Sequence, residues 1–497
     1  MNRLLSTNLQ ATVHRRPQAA SALIAATVVL TGLGMLASTV PMLVLASGAT
    51  LCLVVLLLWR GDDPPILLLP ALFQWSEVAI APLSTMWLKV PLAELSTYGA
   101  DIEKSSLYGL LGISALSIGM WLGAGKAKGP TFSSRLREEV ERWTPQQVIS
   151  TSLTLIGLGY GLAFISGIAG PAREPLNQAS NVKYIGLFLL TFWCLVRQRN
   201  YGLLLLVACL EIGFGMTGFF AEFKNSILTF FVATITARPR IRPLDLLLSA
   251  GAVGVILSVA IFWSAVKPEY REFANQGTGA QILAVPFEDR VEFLVNAAAE
   301  FDGEKIAYGF EKLVARHGYV EFLGLVMDYV PRVIPHENGK LTVAVFRHIA
   351  VPRFLWPQKP PLPSDTEVMS KYTGLPMTWT SDTSISIGYL GELYADFGYF
   401  GGLVGAGLIG LIVGLVYRFV RGSFNSSAII SAGLCLMIAL PIAYFGTAYV
   451  KMVGAFVMTS IVVFIIARFL LPPFLPKLKS KVPTSAATVA PIQRARI

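Results

Sequence analysis

Charge is what this chain has least of. Asp, Glu, Lys and Arg together make up 14% of its 497 residues, against about 25% in soluble proteins. With 54% hydrophobic residues and a mean hydropathy of +0.61, a soluble globule is excluded and a polytopic membrane protein is implied. Cysteine is also scarce. The four cysteines, at 52, 194, 209 and 435, all lie in apolar segments. That excludes a disulfide-stapled fold and a cysteine metal site in the polar region. No convincing A-x-A cleavage site follows a short apolar stretch, so 20–38 reads as an uncleaved first transmembrane helix. Neither an internal repeat nor a metal-ligand spacing is visible, so no metal and no cofactor is expected. Basic residues outnumber acidic ones 40 to 30, for a net charge of +10. They fall mostly in short loops between apolar segments, where they set topology, and this argues against nucleic acid as a partner.

What is present is a series of apolar runs of bilayer length, roughly 17–25 residues. They lie near 20–38, 41–59, 65–83, 105–124, 148–168, 182–197, 201–219, 222–237, 244–265, 398–418, 426–446 and 451–471. The third is interrupted by Glu77 and Pro82. With the N-terminus inside, the loops read as cytoplasmic hold 22 of the lysines and arginines, and the short outer loops hold six. Both termini are then cytoplasmic. The expectation is an all-α, polytopic membrane protein of about 12 transmembrane helices with one large, partly helical extracytoplasmic loop. Residues 1–19 form a cytoplasmic N-terminus and 20–265 the first nine helices. The large loop is 266–384, and 385–471 holds a re-entrant or broken helix followed by the last three spans. Residues 472–497 form a basic tail without expected order.

The large loop is too long for a connector. Apolar residues recur at helical spacing in 287–301 and again in 305–330. These predict helices lying on the outer leaflet or, equally, a small cap packed on the membrane helices. The run 385–418 is too long for one straight span, and a break is expected at Gly398, Gly401 and Gly402.

The loop's most distinctive stretch carries Arg347, His348, Arg353 and Lys359, with Arg332 and His336 upstream, among Pro352, Pro357, Pro360, Phe354 and Trp356. Arginine suits bidentate phosphate recognition and lysine adds charge. A patch on lipid headgroups, or a solvated one, accounts for the same charges. Lys224, at the outer end of a span, is a phosphate contact or a snorkelling lysine. Glu77 and Glu211 are ionisable groups within spans, each a site or a structural pair. Glu392 and Asp396 share a helix face, where they offer a general base or a cap and ion-pair role.

The run P-R-F-L-W-P-Q-K-P, then S-I-S-I-G-Y-L-G-E-L-Y-A-D-F-G-Y-F-G-G, resembles the Wzy-type O-antigen and oligosaccharide repeat-unit polymerases, GT-C-like membrane glycosyltransferases of bacteria. The specific part spans 346–402, with a weaker echo at 217–227, where the family tends to carry arginine and this chain has Lys224. The resemblance implies an inner-membrane enzyme that moves a growing glycan from undecaprenyl pyrophosphate onto a new lipid-linked unit at the extracytoplasmic face. Membrane lipid and a chain-length regulator are the further partners it implies. Cations that stabilise the leaving pyrophosphate are then Arg347, Arg353, Lys359, Arg332 and Lys224. His348 or Glu392 takes the acceptor proton. Trp356, Trp379 and Tyr394 offer flat faces to sugar or prenyl groups, and Asp396 is counted with the substrate-binding residues. An O-antigen ligase and a lipid-linked oligosaccharide flippase are the rival expectations.

Overall fold

The computed structural model describes residues 18–59, 63–125, 132–217, 223–237, 243–278, 283–351, 356, 358–359, 362–376, 385–423 and 427–470. Its elements are helices: α1 (Gln18–Ala37), α2 (Pro41–Leu58), α3 (Leu68–Leu88), α4 (Ile102–Ala124), α5 (Phe132–Arg142), α6 (Pro145–Ile168), α7 (Arg173–Ser180), α8 (Lys183–Arg197), α9 (Tyr201–Met216) and α10 (Phe223–Ala237). Then follow α11 (Pro243–Ala274), α12 (Phe287–Ala299), α13 (Gly303–His317), α14 (Val320–Tyr329), α15 (Lys340–Ala350), α16 (Asp365–Thr373), α17 (Gly388–Ser423), α18 (Ala428–Ala439) and α19 (Tyr449–Ile465). Local chemistry starts several of them. Asp101 caps α4 by accepting from Lys104 N at 3.0 Å. Thr144 with Gln147, and Ser364 with Glu367, form reciprocal capping boxes at α6 and α16.

Among the described residues, seven helices are long and apolar enough to cross a membrane: 19–37, 41–58, 102–124, 145–168, 170–197, 388–422 and 449–469. Three more, 201–216, 223–237 and 428–442, are apolar but shorter. Helices thus occupy all twelve apolar runs, but α3 and α11 belong to neither set.

The tightest packing is between α4 and α17. A methyl group at Gly119 would overlap the Gly407 carbonyl, and one at Gly410 the Leu116 carbonyl. Gly123 and Gly414 meet backbone in the same way. Small residues four apart on both helices let the backbones touch. In α17 the backbone leaves helical geometry at Gly398 (φ 72°, ψ −167°), so this 36-residue element is two helices joined at one glycine.

Contacts between loops sort into two ends. At one, Asp63 pairs with Arg421 at 2.7 Å and accepts from Phe132 N. There too the buried Glu139 caps α18 through Ser427, Ala428 N and Ile429 N. Arg137 donates to Ala237 O, and Arg197 to Glu141 O. At the other end, Lys89 reaches Ala37 O, Glu321 binds Ser96 and Tyr98 N, and Arg290 reaches Thr217 O. Tyr444 bonds Asn225, and Lys451 pairs with Asp365.

The polar region supplies α12–α16. Of its two expected helical stretches, 305–330 divides at Gly318. Its second half, α14, buries Val320, Leu323 and Val326 against α4 and α17, so this part is a cap packed on the membrane helices. The turn before α15 is tied to α17 by Glu337 N to Ala395 O (3.0 Å) and Asn338 N to Asp396 O (2.8 Å).

Glu337 also receives hydrogen bonds from Lys371 Nζ (2.7 Å) and Tyr372 Oη (3.0 Å), which fasten α16 to the same turn. The Lys371 hydrogen bond holds the Glu337 carboxyl below its ordinary value of 4.5. A depressed carboxyl contributes stability that is present above its unfolded-state value and lost as pH falls through the lower folded value. We expect protection of α16 amides against hydrogen exchange to be flat above about pH 4.5 and to fall below it, by less than about 1 kcal/mol because the pair is partly exposed. Glu337→Gln should remove that acid-side step. An unchanged step in the variant would place its origin elsewhere.

Candidate functional site

The element carrying Arg347 and His348 is α15, and both of its ends are held by charge. At its start the Asp396 carboxylate accepts from the backbone N–H groups of Gly339 (2.8 Å), Leu341 (3.2 Å) and Thr342 (2.9 Å). Asp396 has no solvent exposure. At its finish Lys359 Nζ donates to His348 O, and to Val351 O at 2.8 Å. A carboxylate on the orphan N–H groups and an ammonium on the orphan carbonyls match the helix dipole. Asp396 therefore serves the backbone of α15, and Lys359 is tied to its C-terminal carbonyls.

A second feature is a broken helix. The run 426–446 reads as one span, but α18 stops at Ala439. A single 3₁₀ turn, Leu440–Ile442, and an irregular stretch then lead to α19. Backbone of this kind at membrane depth must have its polar groups satisfied by protein or face a polar cavity. Both conditions hold here. Gln74 Nε2 donates to Ile442 O (2.7 Å), and its Oε1 accepts from the Tyr389 hydroxyl (2.9 Å). Glu77 accepts from Phe445 N, and Glu392 from Tyr449 N at 2.8 Å. The buried carboxyl groups of Glu77 and Glu392 thus brace the break from behind.

In front of the break is a cavity of about 800 Å³. Its walls are α6, α7 and α8, Asn225 of α10, His348 of α15, Lys359, the 440–447 break and α19. Basic side chains reach it from four parts of the chain, as Lys183, His348, Lys359 and Lys451. Lys183 pairs with Glu211 at 3.7 Å, and Glu211 also accepts from the Ser226 hydroxyl at 3.1 Å. Lys451 pairs with Asp365 at 2.6 Å. Tyr444 donates to Asn225 Oδ1 (2.8 Å), with Lys224 Nζ 5.8 Å from its ring centre.

Of the residues marked from sequence, His348 and Lys359 line this cavity and Lys224 stands beside it. Arg332, Arg347 and Trp356 are exposed and do not line it, while Glu392 and Asp396 are buried. Arg353 and Trp379 lie outside the described residues. Sequence reasoning passed over Lys183, Lys451, Asn225 and Tyr444. The available signal was that Lys183 and Lys451 open apolar segments at the same face as Lys224, the one read from sequence as outer. No protein-family model, curated protein or solved structure matches the chain.

Proposed function

We propose that this protein is a polysaccharide polymerase of the bacterial inner membrane. It transfers a growing glycan from undecaprenyl pyrophosphate onto a new lipid-linked repeat unit at the extracytoplasmic face. Twelve crossings with both termini cytoplasmic fit the two-ended sorting of loop contacts. Among the described residues, the contacts given above join loops read as cytoplasmic to one another, and loops read as outer to one another.

The observation that carries the reading is the cavity at the outer end, where His348 and Lys359 of the basic, proline-rich stretch meet Lys451 and the broken helix. In the proposed reaction the acceptor hydroxyl oxygen attacks the anomeric carbon of the donor glycan. The bond from that carbon to phosphate oxygen breaks, and undecaprenyl pyrophosphate leaves with the electron pair. Cations stabilise the charge developing on it. Lys359 and Lys451 border the cavity and Lys224 stands next to it, and these are the cations assigned to the pyrophosphate; Arg332 and Arg347, expected there from sequence, do not line the cavity, and Arg353 lies outside the described residues. His348 lines the cavity and takes the acceptor proton. Glu392, behind Tyr449 N, holds the frame.

The test is purified protein with lipid-linked repeat units, read as glycan ladders on a gel, with surface glycan from deletion cells run beside it. Lys359→Met should lower turnover by about 100-fold, the scale of one lost oxyanion donor. His348→Gln should fall by at least as much. Glu392→Gln, whose amide oxygen still accepts from Tyr449 N, should keep most of its activity. Loss in Glu392→Gln with His348→Gln active would exchange the two roles. Deletion cells should carry single repeat units on their normal surface lipid. Lipid-linked units trapped inside would indicate a flippase, and free long polymer on the carrier a ligase.

A further inference from the structure

We propose that the cavity contains a carbohydrate subsite built on Lys183 and the Tyr160 ring, distinct from the cations that face phosphate. This rests on the glycan-transfer reading above and names which part of the substrate this wall takes. Lys183 opens α8 and is nine-tenths buried, at 9% exposure. Its ammonium borders the cavity, 4.7 Å from the centre of the Tyr160 ring and 5.3 Å from that of Tyr184. The nearest carboxylate oxygen, on Glu211, is 3.7 Å away, beyond hydrogen-bond length. Among the described residues none of its three N–H groups has a hydrogen-bond acceptor. The ammonium faces the cavity, so its N–H groups are open to oxygen atoms that a ligand brings.

The charge on this wall decides which oxygen atoms. Glu211, 3% exposed and fixed by Ser226, neutralises Lys183. A phosphate arriving here meets no net positive charge and is repelled by Glu211, whereas a neutral hydroxyl is not. The rest of the wall has the chemistry of sugar recognition, planar amides held in place beside aromatic faces. Gln178 is fixed by Glu174, Asn181 and Thr459, and Asn225 by Tyr444. Gln178 Oε1 already accepts from Asn181 and Thr459, so this amide offers a sugar hydroxyl its second Nε2 N–H, whereas Asn225 can both donate and accept; a tyrosine face suits the C–H side of a sugar ring. The buried acid Glu211 thereby gains a role. It removes the charge that would otherwise draw the carrier's phosphate onto the sugar wall.

The experiment is equilibrium binding to the full chain in lipid nanodiscs. Two probes are used: undecaprenyl-pyrophosphate oligosaccharide extracted from cells lacking this protein, and undecaprenyl pyrophosphate without sugar. Lys183→Met keeps the length of the side chain and removes its donors. It should weaken binding of the sugar-bearing lipid about tenfold or more while the bare carrier changes less than about twofold. Tyr160→Leu alters a partly exposed ring and leaves the ion pair in place, so it tests the same wall without threatening the fold. It should show the same selective loss. Equal weakening of both probes would make this a phosphate site and overturn the proposal, as would no weakening of either. Wild-type protein that binds neither probe would overturn the transfer reading, and the subsite with it. Wild-type protein that polymerises, with both variants unimpaired, would remove the subsite alone.

Discussion

Asp396→Ala should destabilise the protein by roughly 3–5 kcal/mol and release the start of α15. Three backbone N–H groups, of Gly339, Leu341 and Thr342, depend on this one carboxylate. Each buried donor left without an acceptor costs about 1–3 kcal/mol, more where the lost partner is charged, although water entering the turn offsets part of the sum. Asp396→Asn keeps one acceptor oxygen and should lose about half as much. The measurements are thermal unfolding in detergent and hydrogen exchange over 339–350. We expect exchange to rise first at the amides of residues 339, 341 and 342, and turnover to fall because α15 carries His348. Full protection of 339–350 in Asp396→Ala, together with lost turnover, would return Asp396 to the substrate-binding role that the resemblance implied.

This residue also shows what a sequence discloses and what it withholds. A carboxylate pair four residues apart on a helix was visible, and a cap was one of its two readings. Which backbone it capped was not visible, because Gly339, just before α15, lies 57 residues earlier in the chain. The apolar runs were legible because each one is local, and helices occupy all of them. The glycine break in α17 was legible for the same reason. The end of α18 at Ala439 was not. Nothing in its composition interrupts the apolar run before Pro441, and the groups that make the break tolerable, Gln74, Glu77 and Glu392, come from other helices.

The site divides along the same line. Of the basic residues that line the cavity, His348 and Lys359 were marked from sequence because they belong to one dense basic stretch. Lys183 and Lys451 were missed because each is a single lysine at the head of an apolar segment, which in isolation reads as a topology signal. α7 packs on α19 and leads into Lys183 at the head of α8, and α15 packs on α19 as well; together these contacts bring four basic side chains to one cavity. Glu77 could be read as a site or as structure, and its hydrogen bond to Phe445 N makes it part of the frame.

Gly410→Leu should prevent α4 and α17 from packing, and it is the variant we expect to abolish folded protein. At Gly410 an added carbon would run into the Leu116 carbonyl and approach Met120 N at 3.0 Å, so the obstacle is backbone and no side chain can rotate away. Overpacking costs about 1–3 kcal/mol where neighbours can shift, and more where, as here, two backbones must part. Transmembrane helices associate through close van der Waals contact, so parting them removes the interaction itself. Gly119→Leu, on the facing helix, meets the Gly407 carbonyl and should behave alike. Gly422→Leu is the control, because it lies on the same helix as Gly410 with nothing within 4 Å of the added carbon. It should give a normal yield of monodisperse protein in detergent, while Gly410→Leu gives little or none. Since α17 also carries Glu392 and Asp396, a partly folded Gly410→Ala should lose protection at residues 339–350 and at 440–449 together. Loss at only one of these segments would mean that α17 does not couple the cap of α15 to the brace of the broken helix.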